Sequence, residues 1–313
     1  MRLAGWACVV WLLLAVPAPA RDVLVSNVSG DDRNTGHDWQ STAERIGPIR
    51  TIRRALELTQ FGDRVVLANT QQPNRESVGL VGVRHGGGKF TPFILLGNGA
   101  ILDGSAPVPP VWEHFEEAVF RFHPNAGGPQ QLFLRDRPVP LVPADFNAGR
   151  PPKLKPLQWS LVQGEIYFCV EKDKLPADYA LTYTSKETGI TLYHVEQVAI
   201  LDLIVQGFRL DGINLNTARS VQIKGVTSRG NGRYGIAVGG ASQVDIEDCT
   251  LGQNARAQLF TAANSETHLR ASDLLPLTAP AWVDEGGLFY LNDKRLQGGL
   301  EKISREEKDA AKP

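Results

Sequence analysis

Apolar and polar residues between positions 195 and 274 follow one pattern that repeats every 23 positions. Within each copy the apolar residues alternate with polar ones, which is the period of a strand and not of a helix. Glycine recurs at equivalent corners, as at Gly207 and Gly230, where the chain must turn. The pattern therefore predicts short strands separated by tight corners. The two clearest apolar columns are Val198, Val221, Val244 and Thr267, and Ile200, Ile223, Ile246 and Leu269.

A unit of this length cannot bury its apolar face alone, and it becomes stable by stacking on similar units. Stacking at the strand spacing of about 4.8 Å gives one continuous core. The competing architecture is a leucine-rich repeat, but its Leu-x-x-Leu-x-Leu pattern and its asparagine are missing. The sequence therefore predicts an all-β fold, a single-stranded right-handed parallel β-helix in which one chain coils into a solenoid.

The outward side chains of three successive predicted strands form two polar columns. The simpler interpretation is a ladder of ion pairs that aligns the repeats, each pair contributing at most about 1 kcal/mol. The alternative is the floor of a groove for an acidic sugar chain, with cations pairing its carboxylates and one residue acting as base. The first column is Lys224, Glu247 and Arg270, and Gln222, Asp245 and His268 lie beside it. The candidate catalytic residues are Lys224, Asp245, Glu247, His268 and Arg270.

A second polar cluster falls at the turns before the Gly-Ile strands, and turns on a rigid scaffold commonly carry binding groups. Arg233 or Tyr234 is expected beside Asp211 of the neighbouring repeat, as an acid–base pair or as a salt bridge. A structural role is the simpler alternative for these residues. Asn231 and Asn254 share one column, which is typical of a structural ladder. The candidate substrate-binding residues are Asp211, Asn214, Arg233 and Tyr234.

Three short motifs lie near the N-terminus in the order GDDxNxG, GPxRTIxxAL and GDxVxL, at residues 30–36, 47–56 and 62–67. This order resembles the N-terminal cap of secreted bacterial β-helix proteins of the pectate-lyase-like superfamily. The resemblance implies that a helix at 51–58 plugs the open end of the solenoid and that residues 65–67 begin the first coil. An uncapped terminal coil would present an unpaired, aggregation-prone edge, which supports this interpretation.

The same resemblance implies a function directed at carbohydrate, because many members of the superfamily cleave or epimerise acidic polysaccharides. Its lyases commonly use an arginine or lysine base with a calcium ion or another cation, and its hydrolases use a set of aspartates. The Trp-x-Asp-His and Arg-x-Pro-x-x-Arg signatures of pectate lyases are absent, as is the hydrolase aspartate pattern. We expect an exported, carbohydrate-active protein, a lyase or hydrolase of an acidic polysaccharide. The alternative is a non-catalytic β-helix that binds glycan or serves as a structural surface module.

The N-terminus predicts export. An apolar run at residues 9–16 follows Arg2 and precedes Ala18 and Ala20, which fit a signal-peptidase site. We expect the mature protein in the periplasm, on the cell surface or in the medium. The expected segments are a signal peptide at 1–20, a β-helix domain at 21–299 and a charged tail at 300–313. Within the domain we expect an N-terminal cap at 21–62, irregular coils at 63–130, a small β-hairpin insertion at 131–188, regular coils at 189–274 and a C-terminal cap at 275–299.

Charge and composition narrow the choice of partner. A net charge of −1 over 313 residues does not favour nucleic acid or an anionic membrane surface. No apolar run is long enough for a membrane span. Asp31, Asp32 and Asn34 cluster hard oxygen donors in one loop, so Ca²⁺ is a candidate cofactor, although the same residues serve equally well as turn formers. We expect a polysaccharide or another glycan as the partner.

Overall fold

The computed structural model describes residues 20–42, 44–135, 137–145 and 149–296. The predicted signal peptide at 1–20, apart from its last residue, and the predicted tail at 300–313 lie outside these ranges. Residues 297–299 of the predicted C-terminal cap also lie outside them. Across the described ranges, no helix combines the length and the apolar character that crossing a bilayer requires.

The described chain is rich in strands and contains one α-helix. Thr51 caps this helix by accepting a hydrogen bond from the Arg54 amide, and the Glu76 carboxylate accepts from the amides of the first two helical residues. The buried face of the helix packs into the main hydrophobic core. The elements of this part are β1 (Asp22–Val25), α1 (Ile52–Leu58), β2 (Arg64–Leu67), β3 (Val78–Val81), a 3-10 turn (Val83–His85) and β4 (Phe93–Asp103).

Two antiparallel sheets follow β4 and enclose a hydrophobic cluster of their own around Phe122, Trp159 and Phe168. Their strands are β5 (Ser105–Pro107), β6 (Glu113–Glu116), β7 (Val119–Phe122), β8 (Leu132–Leu134), β9 (Arg137–Pro138), β10 (Trp159–Val162), β11 (Glu165–Cys169) and β12 (Leu181–Thr184). The strand orders are β10-β11-β7-β6 and β5-β12-β8-β9. We refer to both sheets together as the antiparallel layer. It extends on both sides of residue 131, the first residue of the predicted hairpin insertion.

The remaining strands include those of the 23-residue repeat and the strands that flank it. They are β13 (Ile190–Tyr193), β14 (Glu196–Gln206), β15 (Ile213–Asn216), β16 (Arg219–Lys224), β17 (Thr227–Arg229), β18 (Tyr234–Gly239), β19 (Gln243–Glu247), β20 (Thr250–Gly252), β21 (Ala257–Ala262), β22 (Glu266–Arg270), β23 (Asp273–Leu275), β24 (Trp282–Glu285), β25 (Leu288–Leu291) and β26 (Lys294–Leu296). The second and third copies each contribute three short strands, because apolar residues alternate within them and corners separate them, whereas in the first copy the single strand β14 spans two of these positions.

Equivalent strands of successive repeats pair in parallel along three faces, and β4 and β14 join the first two faces into one hydrogen-bonded sheet. We call the three faces the first, second and third sheets. The first sheet contains β1, β2, the first parts of β4 and β14, and then β16, β19, β22 and β25. The second contains the last residues of β4 and β14 with β17, β20 and β23, and the third contains β3, β13, β15, β18, β21 and β24. Val198 pairs with Val221, and Val221 pairs with Val244. The predicted register of 23 residues is thus confirmed for these strands.

The inward columns of the three sheets merge into one core that runs through the stacked repeats. A left-handed residue recurs at the corner between the first and second sheets, where the strand must change direction without a loop. At the C-terminal end of the described chain, β26 reverses direction and pairs antiparallel with β25. The left-handed corner residues are Asp202 (φ 49°), Gly225 (φ 66°), Asp248 (φ 52°) and Ala271 (φ 44°).

Candidate functional site

The two predicted polar columns lie side by side on the outer surface of the first sheet. Strands β16, β19 and β22 carry them in the predicted register. We call this surface the charged face. It consists of Lys224, Glu247 and Arg270 in one column and of Gln222, Asp245 and His268 in the other.

Both cations of the charged face are paired with carboxylates. Lys224 Nζ lies 2.9 Å from Glu247 Oε1 and 3.5 Å from Asp248 Oδ2. Arg270 Nη1 lies 3.0 Å from Asp245 Oδ1, and its Nε lies 2.8 Å from an oxygen of Asp293. The structure therefore assembles four of the five candidate catalytic residues into two ion-pair groups, as in the ladder that the sequence offered as the simpler interpretation.

These pairs influence the protonation of the cations. The hydrogen bond to Glu247 raises the pKa of Lys224, and the hydrogen bonds to Asp293 and Asp245 raise the pKa of Arg270. A general base must lose its proton near the working pH. In this arrangement Lys224 and Arg270 are suited to holding anions and poorly suited to abstracting a proton.

His268 is held on two sides. Its Nε2 lies 2.9 Å from Glu266 Oε1, and its ring stacks on Tyr290 with centroids 4.5 Å apart and an interplanar angle of 3°. Nδ1 is buried and has no hydrogen-bond partner among the described residues. A carboxylate oxygen of Glu266 accepts a hydrogen bond from Nε2, so the ring nitrogen that remains is the buried Nδ1. A substrate could reach that nitrogen only after the ring has rotated.

The second predicted cluster centres on Asp211, whose side chain has no solvent exposure. Arg233 donates to both carboxylate oxygens, with Nε–Oδ1 and Nη2–Oδ2 distances of 2.8 and 2.5 Å. The Asn214 amide donates to the same carboxylate at 2.9 Å. The hydrogen bond to Asp211 raises the pKa of Arg233. These contacts describe an internal salt bridge, one of the two roles that the sequence left open.

Tyr234 is 4% exposed. Its ring stacks on Phe260 at a centroid distance of 4.6 Å, and the guanidinium groups of Arg233 and Arg256 lie 5.3 and 5.6 Å from its centre. Burial raises the pKa of Tyr234. The phenol is therefore held neutral and is occupied by packing, and its substrate-binding role stays a prediction.

The two predicted clusters lie on different sheets. Lys224, Glu247 and Arg270 are on the first sheet, whereas Asn214 and Tyr234 are on β15 and β18 of the third sheet. Asp211 and Arg233 occupy the turns that lead into those two strands. The structure thus groups the residues within each cluster and keeps the clusters apart.

Four residues that complete the charged face were missed by the sequence reasoning. Asp248 follows Glu247 directly, and Asp293 lies one repeat length after Arg270, so both could have been found by extending the columns. Tyr290 pairs with His268 but lies 22 residues after it, so the alignment by repeats loses it. Glu266 stands two residues before His268 and points to the same side of β22.

The candidate calcium ligands have protein partners. The Asp31 carboxylate pairs with Arg33 at 2.6 Å, and Arg33 lowers the pKa of Asp31 well below its usual range. The Asp32 carboxylate accepts a hydrogen bond from the backbone amide of Thr51 at 2.8 Å. The side-chain amide of Asn34 donates to Pro48 O. No group of three His, Cys, Asp or Glu residues in the described ranges is arranged to hold a metal ion. The calcium site stays a prediction.

The sequence matches no protein-family model and no curated protein. Among solved structures, the chain is similar to a glycoside hydrolase with a TM-score of 0.55 and 10% identity, over 88% of this chain and 74% of that one. It is also similar to XylC, solved with xylose (TM-score 0.42, 10% identity, 86% and 69% coverage), and to pectate lyase Pel9A (0.42, 11%, 80% and 53%). At this identity the first likeness shows a shared fold alone, and the other two add no argument.

Proposed function

We propose that the protein is an exported right-handed β-helix of the pectate-lyase-like type that acts on an acidic polysaccharide, and that α1 closes its N-terminal end. The likeness to a glycoside hydrolase supports the architecture. The packing of Ile52, Ala55 and Leu56 into the main core supports the capping role of α1. The motifs at 30–36, 47–56 and 62–67 add the resemblance to the caps of secreted proteins.

The charged face is the observation that carries the choice of an acidic polysaccharide. Lys224 and Arg270 share one outward column two strands apart, so a rigid sheet presents their charges at a fixed spacing. Their side chains are 43% and 40% exposed, and exposed ion pairs contribute only about 0–1 kcal/mol each. A uronate carboxylate can therefore replace Glu247 or Asp245 as the partner of a cation at small cost.

Binding is the form of this function that the geometry favours. Lys224 and Arg270 have raised pKa values, and the free nitrogen of His268 is buried, so the face holds charge more readily than it transfers protons. Cleavage by a lyase or hydrolase mechanism is the second candidate, and the resemblance of residues 30–36, 47–56 and 62–67 to the caps of pectate-lyase-like proteins favours it. Both forms require the same kind of ligand.

Affinity electrophoresis of the purified protein through polygalacturonate, alginate and neutral dextran tests the proposal. We expect retention by the acidic polymers alone, and weaker retention as added salt shortens the screening length. The double variant K224Q/R270Q should be retained less than the control K153Q/K172Q, which removes two exposed lysines from loops that connect strands of the antiparallel layer. Equal mobility in all gels would show that the proposal is wrong.

The same samples distinguish binding from cleavage. New absorbance from unsaturated uronates indicates a lyase, and new reducing ends without that absorbance indicate a hydrolase. Retention without either product supports the non-catalytic form.

A further inference from the structure

An open groove of about 560 Å³ lies beside the first sheet, between the loop at residues 86–89 and the start of β14 and β16. We call it the loop groove. It is distinct from the charged face and from the Asp211 cluster, since it shares no residue with either. Its lining includes Phe61, Lys89, Glu196, Gln197, Thr217 and Arg219.

The charged side chains of the loop groove are unpaired, in contrast to those of the charged face. Lys89, Glu196 and Arg219 are all exposed. The Lys89 ammonium lies 5.9 Å from the centre of the Phe90 ring. Within residues 20–42, 44–135, 137–145 and 149–296, none of the three side chains forms an ion pair or a hydrogen bond. Two cations and one carboxylate are thus available to a ligand.

Glu196 and Arg219 are placed where they would be expected to form an ion pair with each other. They occupy paired positions on adjacent strands β14 and β16, where opposite charges commonly meet. No ion pair joins them, although both lie in the described chain. The register therefore brings an acid and a base to one end of the groove and leaves both free to contact a bound molecule.

Glycines form a fixed floor beneath these groups. The Gly87 amide donates to Glu196 O at 2.9 Å, and Gly86 O accepts from the Gly62 amide at 2.9 Å. A Cβ atom at position 87 would stand 2.4 Å from Phe93 N, so only glycine fits this close approach of two backbones. The floor is therefore set before a ligand arrives, and Lys89 follows it directly in the chain.

Exposed apolar side chains complete the groove. Phe61 is 53% exposed and Val83 is 79% exposed, and both line the same space as the free charges. Contiguous exposed apolar surface marks interaction sites more often than chance. An aromatic ring next to cations suits a ligand that has both a hydrophobic face and negative charge.

We propose that the loop groove binds a uronate-containing segment of the polysaccharide, with its carboxylates paired to Lys89 and Arg219 and one sugar ring packed on Phe61. This inference rests on the proposed function and identifies a site for it. Charge-assisted hydrogen bonds to a carboxylate are about twice as strong as neutral ones, and an arginine can form two in parallel. The Glu196 carboxylate accepts hydrogen bonds from sugar hydroxyl groups.

Calorimetric titration with a galacturonate oligosaccharide tests this site. We expect the variant K89Q/R219Q to bind about tenfold more weakly than the wild type, because two partly exposed ion pairs are lost. Phe61→Ala should weaken binding several-fold while leaving its salt dependence unchanged. The control K153Q/K172Q removes the same charge from loops that connect strands of the antiparallel layer and should bind as the wild type does. Unchanged melting temperatures establish that the variants are folded, as expected for exposed side chains.

The outcomes separate this inference from the proposed function. Wild-type affinity in K89Q/R219Q, together with a loss in K224Q/R270Q, would overturn the loop groove and leave the proposed function standing. A wild-type protein that binds neither the oligosaccharide nor the acidic polymers would overturn both. A loss in K89Q/R219Q that exceeds the loss in K153Q/K172Q supports the groove.

Discussion

The Asp211 carboxylate is fully buried, and in the described chain it accepts hydrogen bonds from the side chains of Arg233 and Asn214. Removing a carboxylate from water costs several kcal/mol unless its charge is compensated. The Arg233 side chain is 32% exposed, so the two partners are not equivalent. The guanidinium can return to water when the pair is broken, whereas the carboxylate cannot.

This asymmetry predicts the order of two substitutions. Arg233→Ala leaves a buried carboxylate without its partner and should lower the free energy of unfolding by about 3 kcal/mol. Asp211→Asn leaves a guanidinium that water can reach, and it should cost about 1 kcal/mol. Urea denaturation of both variants measures the difference. A larger loss for Asp211→Asn would contradict the assignment of Asp211 as an internal ion-pair partner.

The sequence predicted which residues share a column, but it did not predict which charged side chains form ion pairs. The column of Asn231 and Asn254 follows from the repeat, and the Asn231 amide donates to Asn254 Oδ1 at 2.9 Å, as a structural ladder requires. Arg270 pairs with both Asp245 and Asp293, whereas the predicted columns placed it beside Glu247. A long charged side chain can form ion pairs of similar free energy with several neighbours. The repeat spacing alone does not show which of these pairs forms.

The 3-10 turn at Val83–His85 connects α1 to the loop groove. Arg84 donates to the carbonyls of Glu57 and Thr59 at the end of α1. The Val81 amide donates to His85 Nδ1 at 3.0 Å, which fixes the proton on Nε2, 3.2 Å from Leu56 O. The turn therefore satisfies carbonyls at the helix end that lack partners within the helix.

His85 makes this turn sensitive to pH. Burial lowers the pKa of His85, and the charge of Arg84 acts in the same direction. A lowered folded pKa means that the stabilisation is fully present above the unfolded value of about 6.5 and is lost as pH falls through the folded value. A second proton would also place an N–H on Nδ1 against the Val81 amide.

We therefore expect His85→Gln, which retains one acceptor and one donor but does not titrate, to lose less stability than the wild type between about pH 7 and pH 5. Thermal unfolding across that range measures the effect, since all other titrating groups are common to both proteins. Parallel curves would show that His85 does not couple the turn to pH. Affinity for the galacturonate oligosaccharide should follow the same difference, because the turn leads into the floor of the loop groove.

Elements differ in how far their sequence determines them. Helical spacing of apolar residues occurs in the segment that contains α1, and Thr51 provides a cap. The antiparallel layer offered no comparable signal, because alternation of apolar residues is the same in parallel and antiparallel strands. Strand β7 could thus be assigned to an irregular coil, whereas it pairs with β11. The pairing partner is a property of the whole chain.

The antiparallel layer is joined to the stacked repeats by Gln131, which is 6% exposed. Its amide donates to the carbonyls of Asn231 and Gln253, each at 2.8 Å. The adjacent Gln130 is equally buried, but its side chain bonds Ala126 O and Thr184 within the layer. Two neighbouring glutamines thus serve different parts of the molecule.

This pair provides a matched test of how the layer is attached. Gln131→Ala removes both hydrogen bonds and takes away the donor of the Gln253 carbonyl, whereas Asn231 O still accepts from the Ala255 amide. It should destabilise the attachment by about 2 kcal/mol. Hydrogen exchange should then accelerate at the β8 and β12 amides while the β16 and β19 amides remain protected. Gln130→Ala should accelerate exchange within the layer alone and leave the amides near Asn231 unchanged. Identical exchange patterns for the two variants would contradict this division of roles.

The left-handed corner at Asp202, Gly225, Asp248 and Ala271 has a consequence for how such a chain can evolve in length. Duplication of one whole unit would add a rung and keep every corner, buried column and surface charge in phase. Loss of a single residue would turn the following strand over and bring Lys224 or Arg270 towards the interior. The chain can therefore lengthen by duplication of whole repeats, whereas deletion of a single residue within a repeat would disrupt the fold.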